Sequence, residues 1–264
     1  CVLSWWRAVR GTDSPAEWNT YRRRVTAGLR AAEHVIAPSA AMLQCLIDHY
    51  GALDSCEVIY NARAPEAFSP STKLPAICSA GRLWDEAKNL GTLERAAARI
   101  PWPVYVAGDT GRAGAGHCEL AANVTWVGRL SAQQLAARLA FAAIYVLPAR
   151  YEPFGLSILE AALAGCALIV GDIPSLREIW GDAAIFIPPE DDDALVRAAC
   201  ELIESPLRRR ELAARARHRA LTFTPQRMAD AYLRRYRLLT GRASRSTTPA
   251  GPTATIDSDT LTEN

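Results

Sequence analysis

Two glutamates, Glu152 and Glu160, are separated by seven residues in the run Tyr151-Glu-Pro-Phe-Gly-Leu-Ser-Ile-Leu-Glu160-Ala-Ala-Leu-Ala-Gly165. A carboxylate only accepts hydrogen bonds, and it can take two hydroxyl donors at once. Between the acids, Phe154-Gly155-Leu156 reads as the entry to a helix. The first N–H groups of a helix have no internal partner, and the dipole there favours an anion. Gly155 removes the side chain that would crowd an approaching phosphate. Glu160 lies about one turn beyond Leu156, on the same helix face. Ile158-Leu159 and Ala161-Ala162-Leu163 flank it, and a carboxylate on a mostly buried helix needs partners. An ordinary exposed helix position is the plain alternative. A ligand carrying both phosphate and sugar hydroxyls, such as a nucleotide ribose diol, suits this pocket.

A second group precedes it: Cys78-Ser-Ala-Gly81-Arg82-Leu-Trp-Asp-Glu-Ala-Lys88-Asn89. Gly81 closes an apolar run, and a guanidinium and an ammonium follow six residues apart. Both only donate, and both suit phosphate oxygens. A solvated loop that happens to be basic is the alternative. Lys73 and Lys88 are the only lysines among 30 basic residues, so the position of each is worth noting. Val104-Tyr-Val-Ala-Gly108-Asp109 ends another apolar run on a glycine, either a close approach to ligand or a tight turn.

These residues need a frame. From Ala76 onward, short apolar segments at 76–80, 103–107, 124–127, 144–147, 167–170 and 184–187 alternate with amphipathic stretches at 88–99, 131–142, 156–164, 174–180, 191–204 and 206–221. That alternation predicts an α/β fold, a Rossmann-like parallel sheet covered on both faces. Ligands then sit beyond the carboxyl ends of the strands. Upstream, 14–34 reads as a helix with Ser14 as cap and Pro15 in its first turn. Val35-Ile-Ala-Pro38 and Glu57-Val-Ile-Tyr60 read as short strands around a helix at 40–50 capped by Ser39. Residues 61–73, with Pro65 and Pro70, read as a linker. A last helix is expected at about 225–240, and the polar stretch 243–264 as a disordered tail.

The opening Cys1-Val-Leu-Ser-Trp-Trp reads like the inside of a strand, and the first residue is not Met. The expectation is that the chain lacks its true N-terminus and about 100 residues of a first domain. A net charge of +2 gives no push toward nucleic acid. Seven widely spaced cysteines form no CxxC and read as buried thiols in a reducing, cytoplasmic setting. No stretch reaches the roughly 18 apolar residues of a membrane span. Asp191-Asp192-Asp193 precedes an apolar helix and reads as a cap rather than a metal site. Gly108-Asp-Thr-Gly111…Gly114-Ala-Gly116 lacks the placement of a dinucleotide loop. The four histidines have no partner pattern. Trp5, Trp6 and Trp18 suit an acceptor cleft or core packing equally. Dense arginine from Arg208 to Arg245 suits a solvated helix face, or peripheral contact with the anionic inner membrane surface.

Glu152-Pro-Phe-Gly-Leu…Glu160, followed by Ala164-Gly-Cys-Ala-Leu-Ile-Val170 and preceded in order by Gly81-Arg82 and a glycine-ended strand, resembles the E-x7-E signature of retaining glycosyltransferases of family 4. The resemblance covers roughly residues 71–240, with an echo at 34–63. It implies the two-domain GT-B fold. Residues 1–70 would then be the later part of the N-terminal, acceptor-side domain, 71–224 the nucleotide-sugar donor domain, and 225–242 a helix returning to the first domain.

By the same resemblance, Arg82 and Lys88 would hold the donor diphosphate near Gly81, with support from the backbone of Phe154, Gly155 and Leu156. Glu160 would bind the ribose and Glu152 the donor sugar. Arg129 and Leu130 would lie near the base. The family's basic residue often follows its arginine by five residues, whereas Lys88 follows Arg82 by six. Glu86 and Ala87 are the alternative aligned positions. The implied activity is transfer of a sugar from a nucleotide-diphosphate sugar to a saccharide, lipid-linked or small-molecule acceptor, with retention of configuration and without metal or other cofactor. A nucleotide-sugar-binding module without transfer, and a nucleotide-sugar epimerase, are the competing readings.

Overall fold

The computed structural model describes residues 1–109 and 121–246. The glycine-rich stretch from Thr110, His117, Cys118 and the tail from residue 247 lie outside the described residues.

The chain runs α1 (Val2–Arg10), α2 (Asn19–Ala31), β1 (Val35–Ala37), α3 (Ala40–Tyr50), β2 (Cys56–Val58), β3 (Leu74–Arg82), α4 (Leu90–Ala97), β4 (Val104–Asp109) and β5 (Val124–Gly128). It continues α5 (Ala132–Phe141), β6 (Ala142–Leu147), α6 (Leu156–Leu163), β7 (Ala167–Gly171), α7 (Pro174–Trp180), β8 (Ile185–Ile187), α8 (Asp192–Glu204), α9 (Pro206–Ala220) and α10 (Pro225–Ser246).

Six strands form one sheet in the order β5-β4-β3-β6-β7-β8, and every pairing is parallel. The fold is therefore the expected α/β class. Side chains alternate across the sheet, as a period of two requires. Cys78, Ala80, Tyr145, Leu147, Leu168 and Val170 meet α5, α6, α7 and α9 on one face. Ile77, Val104, Val106, Ile144, Val146 and Ile169 meet α4 and α8 on the other. All six residues of β6 are buried, because helices cover both faces of a parallel sheet. Each large apolar side chain so buried contributes roughly 1.5–3 kcal/mol.

The strand order reverses next to β3. The chain first steps outward from β3 to β4 and β5, then returns to place β6 on the other side of β3. The crevice at the carboxyl ends of β3 and β6 is the topological switch point, where open α/β sheets bind ligands.

The first 60 residues build a small two-stranded parallel sheet, β1-β2, with α1, α2 and α3 around it. α10 comes back to it: Arg235 donates to Glu57 Oε2 of β2 at 2.9 and 2.6 Å. That guanidinium holds the Glu57 carboxyl below its ordinary range.

Several expectations are corrected. Cys1–Trp6 belongs to a helix, not a strand. Val2, Trp5, Trp6 and Val9 recur at helical spacing, and the helix ends where the Gly11 N–H bonds Arg7 O at 2.9 Å with φ 69°. A short apolar run alone does not separate strand from helix. The helix expected over 14–34 is a 3₁₀ turn at Ala16–Trp18 followed by α2. The helix expected at 88–99 is split by Asn89, in the left-handed region at φ 56°. Its amide is clamped to Pro148 O (3.0 Å) and Pro189 O (2.6 Å), and those tertiary bonds outweigh helix continuation. α10 continues through Ser246, so the first residues assigned to a tail are helical.

Gly108 shows how tightly β3 and β4 meet at the crevice. It pairs with Gly81 at φ +149°, and a Cβ built on it would stand 1.8 Å from Gly81 O. Gly108→Ala is expected to destabilise the protein by about 3 kcal/mol or more in denaturant unfolding, through backbone clash and strain. Gly128→Ala, at φ +75° with open space around it, serves as control and is expected to cost only about 1 kcal/mol.

Candidate functional site

The loop after β3 carries Arg82 and Lys88 to the crevice, and buried anchors hold it. Asp85, 6% exposed, accepts from Trp5 Nε1 at 2.8 Å, Ala87 N at 3.1 Å and Arg82 Nη2 at 2.9 Å. The Arg82 guanidinium also stacks on the exposed Trp84 ring, 5.3 Å from its centroid. Glu86 turns outward to a bidentate contact with Arg10 at 2.8 and 2.7 Å, and Ala87 is buried. Of the three aligned alternatives, only Lys88 therefore sends a charged group inward.

Lys88 meets Glu152. Its ammonium donates to Glu152 Oε2, and both side chains are nearly cut off from water, 14% and 12% exposed. The other oxygen, Oε1, accepts the Gly155 N–H at 3.0 Å. The backbone nearby is pinned from two other elements. Ser175 Oγ of α7 donates to Glu152 O, and Ser39 Oγ, at the head of α3, donates to Pro153 O at 2.7 Å. Gly155 adopts φ +89° as the residue before α6, and a Cβ there would stand 2.8 Å from Ile158 Cδ1. Only glycine gives α6 this start.

The amide cradle differs in detail from the sequence reading. The Gly155 N–H, expected to face a phosphate, is occupied by Glu152. The first helical bond of α6 runs from Leu159 N to Gly155 O at 3.0 Å, so the Leu156, Ser157 and Ile158 N–H groups have no helical acceptor. Phe154 is 2% exposed, with its ring packed against Tyr60 and Phe223, which leaves it only backbone to offer.

Glu160 sits on α6, with its side chain 12% exposed. Its Oε1 accepts from Arg63 Nε at 2.6 Å. Arg63 was not singled out in the sequence, because it lies in the stretch read as linker, where Glu66 and Lys73 are also charged and nothing in the local pattern marks it. Glu178 of α7 was missed too. Its two oxygens accept the Ala40 and Ala41 N–H groups at 2.8 Å each, and Tyr60 Oη donates to it at 2.9 Å. It joins the small sheet's α3 to the large sheet through a helix N-terminus.

Arg129 and Leu130 follow β5 and line a cleft of about 410 Å³ with Ala80, Gly81, Arg82 and Trp84. This cleft adjoins Lys88 through Gly81, whose added Cβ would stand 3.5 Å from Lys88 Cγ. The sequence-predicted residues thus fall into three neighbouring groups around β3 and α6: Lys88 with Glu152 and Gly155, Glu160 beside Leu156, and Arg82 with Arg129 and Leu130.

The other conspicuous groups lie elsewhere. Lys73 Nζ donates to Leu139 O (3.0 Å) and Ala164 O (2.6 Å) at helix ends, and burial lowers its pKa. Cys78 and Cys166 are buried thiols, pushed up by burial to about 12 and about 11, which makes them inert. Asp191 caps α8 through Ala194 N at 2.8 Å. Among the described residues, no group of three or more His, Cys, Asp or Glu side chains is placed to hold a metal ion. No described helix is long and apolar enough to cross a membrane.

Known proteins resemble this chain in sequence and in fold. A glycogen synthase of Mycobacterium tuberculosis is 36% identical over 130 residues, covering 48% of this chain and 31% of the relative. An O-antigen chain mannosyltransferase B of Escherichia coli is 29% identical over 116 residues, covering 44% of this chain and 30% of the relative. The matched segment thus spans about a third of these curated relatives. Among solved structures, sucrose-phosphate synthase from Thermosynechococcus elongatus superposes with a TM-score of 0.80 at 24% identity, over 92% of this chain and 67% of that one. Anabaena HepE, in complex with UDP and glucose, gives a TM-score of 0.72 at 20% identity over 84% and 67%. These neighbours are GT-B glycosyltransferases, and the likeness establishes the fold. The family profile described as "Glycosyl transferases group 1" matches residues 62–219, from the linker through nearly all of α9. Since that match takes in more than half of the 264 residues, the chain belongs to the glycosyl transferases group 1 family.

Proposed function

We propose that this chain carries the donor site of a retaining glycosyltransferase, which moves a sugar from a nucleoside-diphosphate sugar to an acceptor hydroxyl. The observation that supports it most is the meeting of Lys88, Glu152 and the α6 N-terminus at the switch point between β3 and β6. Cleaving a sugar–phosphate bond develops negative charge on the departing diphosphate. Arg82, Lys88 and the free first-turn amides of α6 supply positive charge fixed in advance, which is the most effective form of such stabilisation. In this reading they do so without a metal ion.

Glu160 receives the ribose hydroxyls, and the cleft beside Arg129 and Leu130 takes the base. Glu152 has two tasks in sequence. In the structure it neutralises Lys88. A diphosphate carries more charge than one carboxylate and draws Lys88 toward itself, which releases Glu152 for hydroxyls of the donor sugar. Residues 71–224 form the donor domain in this scheme, residues 1–70 belong to the acceptor side, and α10 ties the two. The donor class agrees with the UDP-glucose complex of HepE. The acceptor is a saccharide, a lipid-linked sugar or a small molecule, met in the cytoplasm or at the inner membrane face. Among the relatives reported above, none is named as an epimerase.

Calorimetry with UDP and GDP, together with a donor screen for transfer, tests this reading. Glu160→Gln is expected to weaken nucleotide affinity about tenfold, by losing a charge-assisted contact to two hydroxyls. Glu152→Gln is expected to leave nucleotide affinity within about twofold while abolishing most turnover. Equal affinity losses in the two variants would contradict the division of roles, and binding without any transfer would favour the simple binding module.

Lys88→Ala is expected to weaken UDP about 30-fold and UMP only about threefold, because its charge addresses the second phosphate. Equal losses for both nucleotides would remove Lys88 from the diphosphate.

A further inference from the structure

We propose that Arg63 is a positioning residue for donor recognition: it holds the Glu160 carboxylate in the one orientation that receives both ribose hydroxyls. The inference rests on the reading of Glu160 given above, and extends the donor site to a residue of the linker.

Arg63 approaches Glu160 by a single N–H, Nε to Oε1 at 2.6 Å, not by its two-pronged fork. A carboxylate has about four lone-pair sites. One is taken, and among the described residues Oε2 accepts no hydrogen bond. The carboxylate therefore retains acceptor sites for two hydroxyl donors. Glu160 has three side-chain torsions, and an unheld glutamate loses that freedom only when ligand arrives. A partner already in place removes this loss in advance, as pre-organisation does in general.

Arg63 is itself held. Its backbone N–H donates to Phe223 O at 3.3 Å, and its Nη1 donates to Ala62 O at 3.3 Å. Phe223 packs on Phe154, Tyr60 and Trp180. The Arg63 backbone is thus tied to the point where the chain leaves toward α10, and its guanidinium is braced on the preceding carbonyl where the chain enters the large sheet. Glu160 is oriented from these two crossing points rather than from its own helix.

The test titrates wild type, Arg63→Gln, Arg63→Lys, Glu160→Gln and the double variant with UDP, GDP and ADP, then with the 2′,3′-dideoxy form of the tightest binder. Arg63→Gln is expected to weaken the ribonucleotide about tenfold and the dideoxy form by less than about twofold. Arg63→Lys should restore most of the loss, since the lysine ammonium lies one bond beyond the position of Nε, a small turn of its flexible stem returns it to Glu160, and one contact suffices. In the Glu160→Gln background, Arg63→Gln should have no further effect, as expected of two residues acting on one contact. Equal losses for ribo and dideoxy forms would show a direct phosphate contact or general damage, and would overturn the proposal. Tighter binding by Arg63→Gln would show that Arg63 competes with the ribose, with the same consequence. If Glu160→Gln weakens the ribonucleotide but Arg63→Gln does not, this proposal alone falls. If Glu160→Gln has no effect, or none of the three nucleotides binds, the reading of Glu160 falls and takes this one with it.

Discussion

A carboxylate nearly cut off from water must be neutralised or hydrogen-bonded, and Glu152 imposes that demand on everything around it. Its side chain takes the Lys88 ammonium from the β3–α4 loop and the Gly155 amide from the start of α6. Its own carbonyl, and that of Pro153, accept hydroxyls from Ser175 and Ser39. A four-residue segment is thereby fixed from β3, α6, α7 and the head of α3. Apart from the Gly155 amide, three residues on, none of those contacts is local in the chain. Removing the carboxylate would leave a buried lysine without its counter-charge and loosen the junction of the two sheets.

The parallel sheet makes this convergence possible. Its strands all point the same way, so their carboxyl-end loops gather along one edge. The reversal of order beside β3 then opens a crevice there instead of filling it with a crossover. Glycine sets the limits of approach. Gly108 lets β4 come within contact of the Gly81 carbonyl, and Gly155 lets α6 begin at Leu156, four residues beyond Glu152. A side chain at Gly108 would push β4 away from β3, and one at Gly155 would press on the Ile158 side chain of α6.

The charges of the site are already paired in this structure: Lys88 with Glu152, Glu160 with Arg63, Arg82 with Asp85. Under the proposed donor-site reading, ligand recognition would be an exchange of partners rather than the filling of bare positions. The pairs differ in how readily they exchange. Arg82 is 63% exposed and faces a cleft, so its link to Asp85 is weakly held. Lys88 and Glu152 are both shielded, so separating them needs a replacement of equal or greater charge, which the proposed diphosphate would provide. Arg63 and Glu160 need not separate, because the carboxylate has acceptor sites to spare.

Periodicity in the sequence was enough for the large sheet. Apolar runs of four or five residues spaced by amphipathic helices leave few packings other than a covered parallel sheet, and the strands fall within one or two residues of their expected places. The spacing of Glu152, Gly155 and Glu160 around a helix start was visible for the same reason: local geometry follows from local sequence. The opening helix was misread because its first six residues were taken alone; the helical spacing shows only when Val9 is included, and packing against α3 and the 3₁₀ turn at Glu86–Lys88 settles it. Asn89 broke an expected helix because two carbonyls, 59 and 100 residues away, hold its amide. The partners of the key charges were equally out of reach, since Arg63 lies 97 residues from Glu160 and Lys88 lies 64 from Glu152. Residue types and short-range spacing determine which groups are available and how each element forms. Which charge faces which depends on how the sheet closes the distance between segments remote in the chain, and only the tertiary structure decides that.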